Sequence, residues 1–164
     1  MLFVSEEIID ELSVRLGDSE DATSELLAEI SQEQPALLPF VLGENEEAFS
    51  QSERDLLVYL LLVVWKSART VNGPQAMVDP DALSAAEERN WELLEGVQAK
   101  RFRDRLDVFF EDAAQEDLLA FLEDVLSEDE EDVEVSLVTR EGREPIFVLL
   151  KSVVDCLEEA SQLG

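Results

Sequence analysis

Apolar residues recur every three or four positions along most of the chain, which is the spacing of one face of an α-helix. A first apolar stripe covers 8–16, and Ser5 precedes it as a candidate N-cap. Further stripes cover 22–30 and 35–42, each bounded by residues that commonly start or end helices. The pattern predicts three consecutive helices in the first quarter of the chain.

The most apolar stretch is 56–65, where ten residues in a row are apolar. A helix with no polar face belongs in the interior of a helical domain, and a membrane span needs about 20 such residues. Ser52 precedes the stretch as a candidate cap, and Lys66 and Arg69 suit the negative end of a helix dipole. We therefore predict a buried central helix over about 53–69 and no membrane span.

The second half of the chain contains a loop and further helices. Turn dipeptides predict a loop over about 71–80. The segment 81–113 is predicted as one long helix, or as two helices with a break near Gly96. Another helix is expected over about 115–126, and Pro145 is expected in the first turn of the final helix.

An acidic segment separates the last two predicted helices. We expect 127–144 to form mainly an acidic loop or a short helix, and 133–139 stays open between strand, helix and loop. A lone strand has no ladder partner, which argues against a sheet. The fold class is therefore predicted as all-α. We expect one domain over 1–164, an irregular bundle of six or seven helices around the 53–69 helix.

The charge is strongly unbalanced, with 40 Asp and Glu against 12 Lys and Arg, a net charge of −28. Typical small domains carry a net charge of about 2–8 in magnitude. Three explanations are open: adaptation of the surface to a salty cytosol, a recognition surface for a basic partner, or binding of cations by carboxylates. The second includes a decoy for nucleic-acid-binding proteins. Direct binding of nucleic acid is not expected, because phosphates require a basic footprint.

Several chemistries lack their usual residues. The chain has no His, which removes imidazole catalysis and His metal ligands. Its single cysteine, Cys156, lies on the inward side of the last predicted helix and is interpreted as a buried structural thiol. No catalytic residue, metal or cofactor is predicted. The N-terminal residues lack the basic and apolar regions of a secretory signal, so we expect a cytoplasmic protein.

One group of carboxylates is a candidate metal site. Three of them share a predicted helix face, namely Glu88, Glu92 and Glu95. The pairs Glu92-x-x-Glu95 and Asp104-x-x-Asp107 resemble those of all-α, magnesium-dependent pyrophosphohydrolases, and this resemblance implies hydrolysis assisted by Mg²⁺. On one uninterrupted helix the two pairs would be too far apart to enclose one ion. An exposed helix face is the alternative interpretation.

One basic cluster stands out, consisting of Lys100, Arg101, Arg103 and Arg105. It can hold an anion or an acidic segment of a partner. Alternatively, it pairs within the helix as Lys100–Asp104 and Arg103–Asp107, or it anchors the acidic 115–135 region across the fold. The pattern favours a non-enzymatic acidic protein that binds another protein. The expected partner is a basic protein or a second copy. The alternatives are the magnesium hydrolase and the acidic decoy.

Overall fold

The computed structural model of the chain describes residues 1–43, 49–127 and 138–163. These residues form eight α-helices and no strand, which confirms the all-α prediction. The helices are α1 (Glu6–Asp18), α2 (Glu20–Glu33), α3 (Leu37–Leu42), α4 (Gln51–Asn72), α5 (Pro80–Glu95), α6 (Phe102–Phe110), α7 (Glu116–Ser127) and α8 (Arg140–Leu163). The number exceeds the expected six or seven. The segment 81–113 contains most of α5 and all of α6, and α5 ends at Glu95 with Gly96 as its C-cap.

Side-chain caps account for where several helices begin. The Ser19 hydroxyl accepts from the Ala22 N–H at the start of α2. Asp79 caps α5, where Pro80 takes the first helical position. The cap of α4 is Ser50, so the prediction of Ser52 was wrong. Ser50 and Glu53 form a reciprocal capping box, a pairing that needs a spacing of three residues.

Helices α4 and α8 together form the centre of the core. Helix α4 packs against α1, α2, α3 and α8, as expected of its apolar sequence. Helix α8 packs against α3, α4, α5 and α7, and its residues Ile146 to Leu150 are all buried. Phe147 of α8 contacts Phe109 of α6, with ring centroids 5.5 Å apart. Because each buried Leu or Phe contributes about 1.5–3 kcal/mol, this interior supplies most of the stability.

The last helix begins earlier than predicted. It starts at Arg140, and Pro145 is its sixth residue instead of its first-turn residue. A proline there removes one internal hydrogen bond, which the extensive packing of α8 compensates. Thr139 caps the helix, because its hydroxyl accepts from the Gly142 N–H at 3.0 Å. Residues 140–144, expected within an acidic loop or a short helix over 127–144, instead begin the long helix α8, and 128–137 lie outside the described residues.

A buried carboxylate joins the starts of α4 and α8. Glu53 is 2% exposed. Its Oε1 accepts from the Ser50 N–H at 2.9 Å, and its Oε2 accepts from the Thr139 N–H and hydroxyl at 3.1 and 3.0 Å. A Cβ on Gly142 would lie 1.9 Å from this Oε2, so the close approach requires glycine. Glu53 thereby fixes the position of the first turn of α8.

The structure also bears on the membrane prediction. Within the described ranges, no helix combines the length and the apolar character that a bilayer crossing requires.

Candidate anion-binding groove

A groove of about 940 Å³ lies where the α5–α6 connection and α6 meet the first turn of α8. Half of the chain's 12 cations line it, together with the two carboxylates of Asp104 and Glu144. The six cations are Lys100, Arg101, Arg103, Arg105, Arg140 and Arg143. We call this site the basic groove. Cations therefore outnumber carboxylates in the lining of this groove, although acids outnumber bases in the chain as a whole.

Arg105 holds the α5–α6 connection in place. Its guanidinium donates to the carbonyl oxygens of Leu94, Val97 and Ala99 at 3.4, 3.2 and 3.1 Å. Its Nε also pairs with Glu144 of α8. The planar fork of arginine suits this role, since it directs several donors at once. Arg105, predicted as part of a binding patch, is therefore committed to contacts within the protein and positions its neighbours.

Arg103 binds the acidic face of α7. Its Nη1 lies 2.8 Å from Glu123 Oε1 and 3.2 Å from Asp124 Oδ1. This is the anchoring across the fold that the sequence allowed, and it takes the place of the pairing with Asp107. Burial raises the pKa of the Glu123 carboxyl, and the charge of Arg103 offsets part of that effect. Two of the four predicted cations thus serve internal contacts.

The remaining cations point to a binding role. Lys100, Arg101 and Arg140 are exposed, and none has a carboxylate partner in the part of the chain that the structure describes. The predicted Lys100–Asp104 pair is absent there because α6 begins at Phe102 and Lys100 precedes it. By contrast, Lys66, Arg69 and Lys151 each pair with a carboxylate. Unpaired cations concentrated at one groove make it a candidate site for an anion.

The sequence did not predict that α8 forms one wall of the basic groove. Arg140 and Arg143 lie more than 30 positions from the 100–105 cluster, and only the packing of α8 brings the two sets together. The available signal was two arginines three positions apart, a spacing that places both on one helix face. Placing Pro145 in the first turn of the final helix left Arg140 and Arg143 outside it and hid that signal.

The carboxylates Glu88, Glu92 and Glu95 are exposed on α5. The connection 96–101 separates them from Asp104 and Asp107. The two carboxylate pairs therefore do not lie on one uninterrupted helix. Among the described residues, however, no three His, Cys, Asp or Glu side chains come together in a way that could hold a metal ion.

A second groove, of about 610 Å³, lies between α5 and α8. We call it the acidic groove. Its two cations are both paired: Lys151 Nζ lies 2.6 Å from Asp155 Oδ1, and Arg89 Nη2 lies 3.6 Å from Glu159 Oε1. Asn90 is buried beneath it and donates to Ser152 and Asp155 at 3.0 and 3.1 Å. The lining residues are Arg89, Asn90, Glu92, Leu93, Lys151, Asp155, Glu158 and Glu159.

Cys156 is buried on α8 among charges of the acidic groove. Burial raises the pKa of its thiol to about 12, and the carboxylates of Glu159 and Asp155 add to the increase. A thiol with this pKa is protonated at neutral pH, which disfavours a nucleophilic role.

Comparison with known proteins gives no relationship. No family model, no curated protein and no solved structure matches the chain. Any functional conclusion therefore rests on the residues of this chain alone.

Proposed function

We propose that this chain is a non-enzymatic protein that binds a partner protein at the basic groove. One observation carries the proposal: in a chain with 40 acids, Lys100, Arg101 and Arg140 line one groove without carboxylate partners among the described residues. Cations in so acidic a protein are easily neutralised from within. Leaving three of them exposed at one place is what a site for an external anionic group requires.

The chemistry of the groove favours binding over catalysis. Its cations are arginines and a lysine, which hold anions but do not exchange protons readily near neutral pH. Of its two carboxylates, Glu144 pairs with Arg105. The only cysteine of the chain, Cys156, is buried and belongs to another part of α8. This set of side chains positions an anionic partner and offers it no activated nucleophile.

Charge reversal with a matched control tests the proposal. Arg101→Glu and Arg140→Glu change the basic groove, while Arg15→Glu makes the same charge change on α1, where Arg15 is also exposed. Affinity capture with crosslinking, followed by mass spectrometry, should identify a partner that wild type and Arg15→Glu retain and both groove variants lose. Circular dichroism verifies that all variants are folded.

Two results would contradict this function. If the groove variants capture the same partners as wild type, and those partners are basic and dissociate with salt, the acidic exterior is the binding surface instead. If purified protein hydrolyses a nucleotide with added Mg²⁺, and Glu92→Gln abolishes the turnover, the chain is an enzyme of the type that the paired carboxylates resemble.

A further inference from the structure

We propose that the ligand of the basic groove is a short acidic segment of the partner. Its carboxylates would pair with Lys100 and Arg101 on one wall and with Arg140 on the other. The anionic remainder of the protein would then exclude long polyanions. This inference rests on the proposed function and names the chemistry of its ligand.

The two walls of the groove are fixed before any ligand arrives. Arg105 holds the connection that carries Lys100 and Arg101, through carbonyls at 3.1–3.4 Å. Glu53 and Thr139 hold the first turn of α8, where Arg140 lies. Backbone that is already ordered reduces the entropy cost of binding, so a few contacts suffice for measurable affinity.

The donors in the groove suit carboxylates. Each arginine presents a planar fork that matches the two oxygens of a carboxylate, and Lys100 adds a point charge. Helix α6 also begins here without a side-chain cap, so its first N–H groups add positive potential. A groove of about 940 Å³ exceeds the volume of a single small anion and matches several residues of a peptide.

Charge outside the groove limits the length of the ligand. Three cations of the groove have no carboxylate partner among the described residues, whereas the whole chain carries −28. Repulsion from a surface charge reaches about 8 Å at physiological ionic strength. A short acidic segment stays within the cationic region. A nucleic acid duplex would extend over the surrounding acids and be repelled there.

Fluorescence anisotropy with a labelled hexaglutamate peptide tests this inference on the full chain. Wild type should bind this peptide and should not bind a glycine-serine peptide of equal length. Neutralising Lys100, Arg101 and Arg140 to Gln together should weaken binding by about tenfold, because exposed charge pairs contribute modestly each. Arg15→Gln removes the same charge as Arg101→Gln and should change binding by less than about twofold. A labelled DNA duplex several times longer than the groove should not bind.

Each contrary outcome has a defined consequence. Equal binding of hexaglutamate by wild type and the triple variant overturns the assignment to these side chains, and tight binding of the duplex overturns the limit on length. If hexaglutamate fails to bind while groove charge reversal still abolishes capture of the partner, the ligand chemistry is wrong and the protein-binding proposal stands. Retention of the partner by the reversed variants removes the proposed function itself.

Discussion

Both grooves border α8, and they differ in whether their cations are paired with carboxylates. In the acidic groove, Lys151 and Arg89 are each neutralised by a carboxylate of α8. In the basic groove, Arg103 and Arg105 form internal pairs, while Lys100, Arg101 and Arg140 lack carboxylate partners among the described residues. Both cations of the acidic groove are thus neutralised by carboxylates that line the same groove. The basic groove leaves charge available, and this difference is the reason we propose it as the binding surface.

The ends of α8 explain part of this contrast. The basic groove contacts the N-terminal turn of α8, where the helix dipole is positive. The acidic groove lies along 151–159, further toward the negative end. The C-terminal end of α5 also lies here, but its negative end is occupied by Arg105, which donates to the carbonyl of Leu94. The positive end of α8 and the unpaired cations therefore add to each other at the basic groove.

The largest predicted effect concerns the thiol beside the acidic groove. With a pKa of about 12, Cys156 is almost entirely protonated at pH 8. Iodoacetamide should therefore alkylate it roughly a thousandfold more slowly in the folded protein than in urea. Neutralising Asp155 and Glu159 together should accelerate the reaction, whereas Arg101→Gln at the basic groove should not. Alkylation of the folded protein at the rate of a free thiol would contradict the raised pKa of Cys156.

The next effect concerns Glu53, which holds the α8 wall of the basic groove in position. Glu53→Ala leaves the Ser50 and Thr139 N–H groups and the Thr139 hydroxyl without their acceptor. We expect a loss of about 2–4 kcal/mol in the free energy of unfolding, measured in urea. Gly142→Ala should also destabilise, because its Cβ would collide with the same carboxylate. The exposed Glu88→Ala serves as the control and should change stability by less than about 0.5 kcal/mol.

Arg105→Lys tests whether the wall of the basic groove is held from within. Lysine keeps the charge but cannot reproduce the planar set of donors to three carbonyls, so we expect a loss of roughly 1–2 kcal/mol. Hydrogen exchange at the amides of 97–101 should accelerate. Arg103→Lys is the matched control, since Arg103 bonds to side chains of α7 and not to this connection. Equal exchange in both variants would assign the order of the connection to packing alone.

The smallest predicted effect is the pH dependence of the unfolding free energy that two carboxylates, Glu87 and Glu123, contribute. Burial, followed by the charge of Glu88, raises the pKa of Glu87 above its ordinary 4.5. The folded state therefore holds this proton more tightly than the unfolded state. Stability from this group is present below pH 4.5 and declines as pH rises through the folded pKa.

Glu87→Gln should remove that decline and stabilise the protein at pH 7 by about 0.5 kcal/mol or less. At Glu123 the pKa is also raised by burial, but the carboxylate pairs with Arg103. Glu123→Gln should therefore gain less, because it also loses that pair. Urea unfolding of both variants at several pH values measures the difference. A larger gain for Glu123→Gln would show that its pair with Arg103 contributes nothing.

Local apolar periodicity was enough to predict the helical class, the buried α4 and the inward face of α8. The sequence also singled out the 100–105 cluster, since the contrast with the acidic background is visible in the chain. Helix boundaries were less certain, as at Ser50 and Arg140, because competing caps a few residues apart have similar local preferences.

Which cations face outward depends on how the helices pack. Lys100 and Arg105 look alike in sequence, yet one is exposed and the other is directed at carbonyls of the α5–α6 connection. Arg140 joins the groove because Glu53, far away along the chain, fixes the first turn of α8. Ion pairing depends on distances of a few ångströms between helices, and these distances are set by packing, which a linear pattern of charges does not contain.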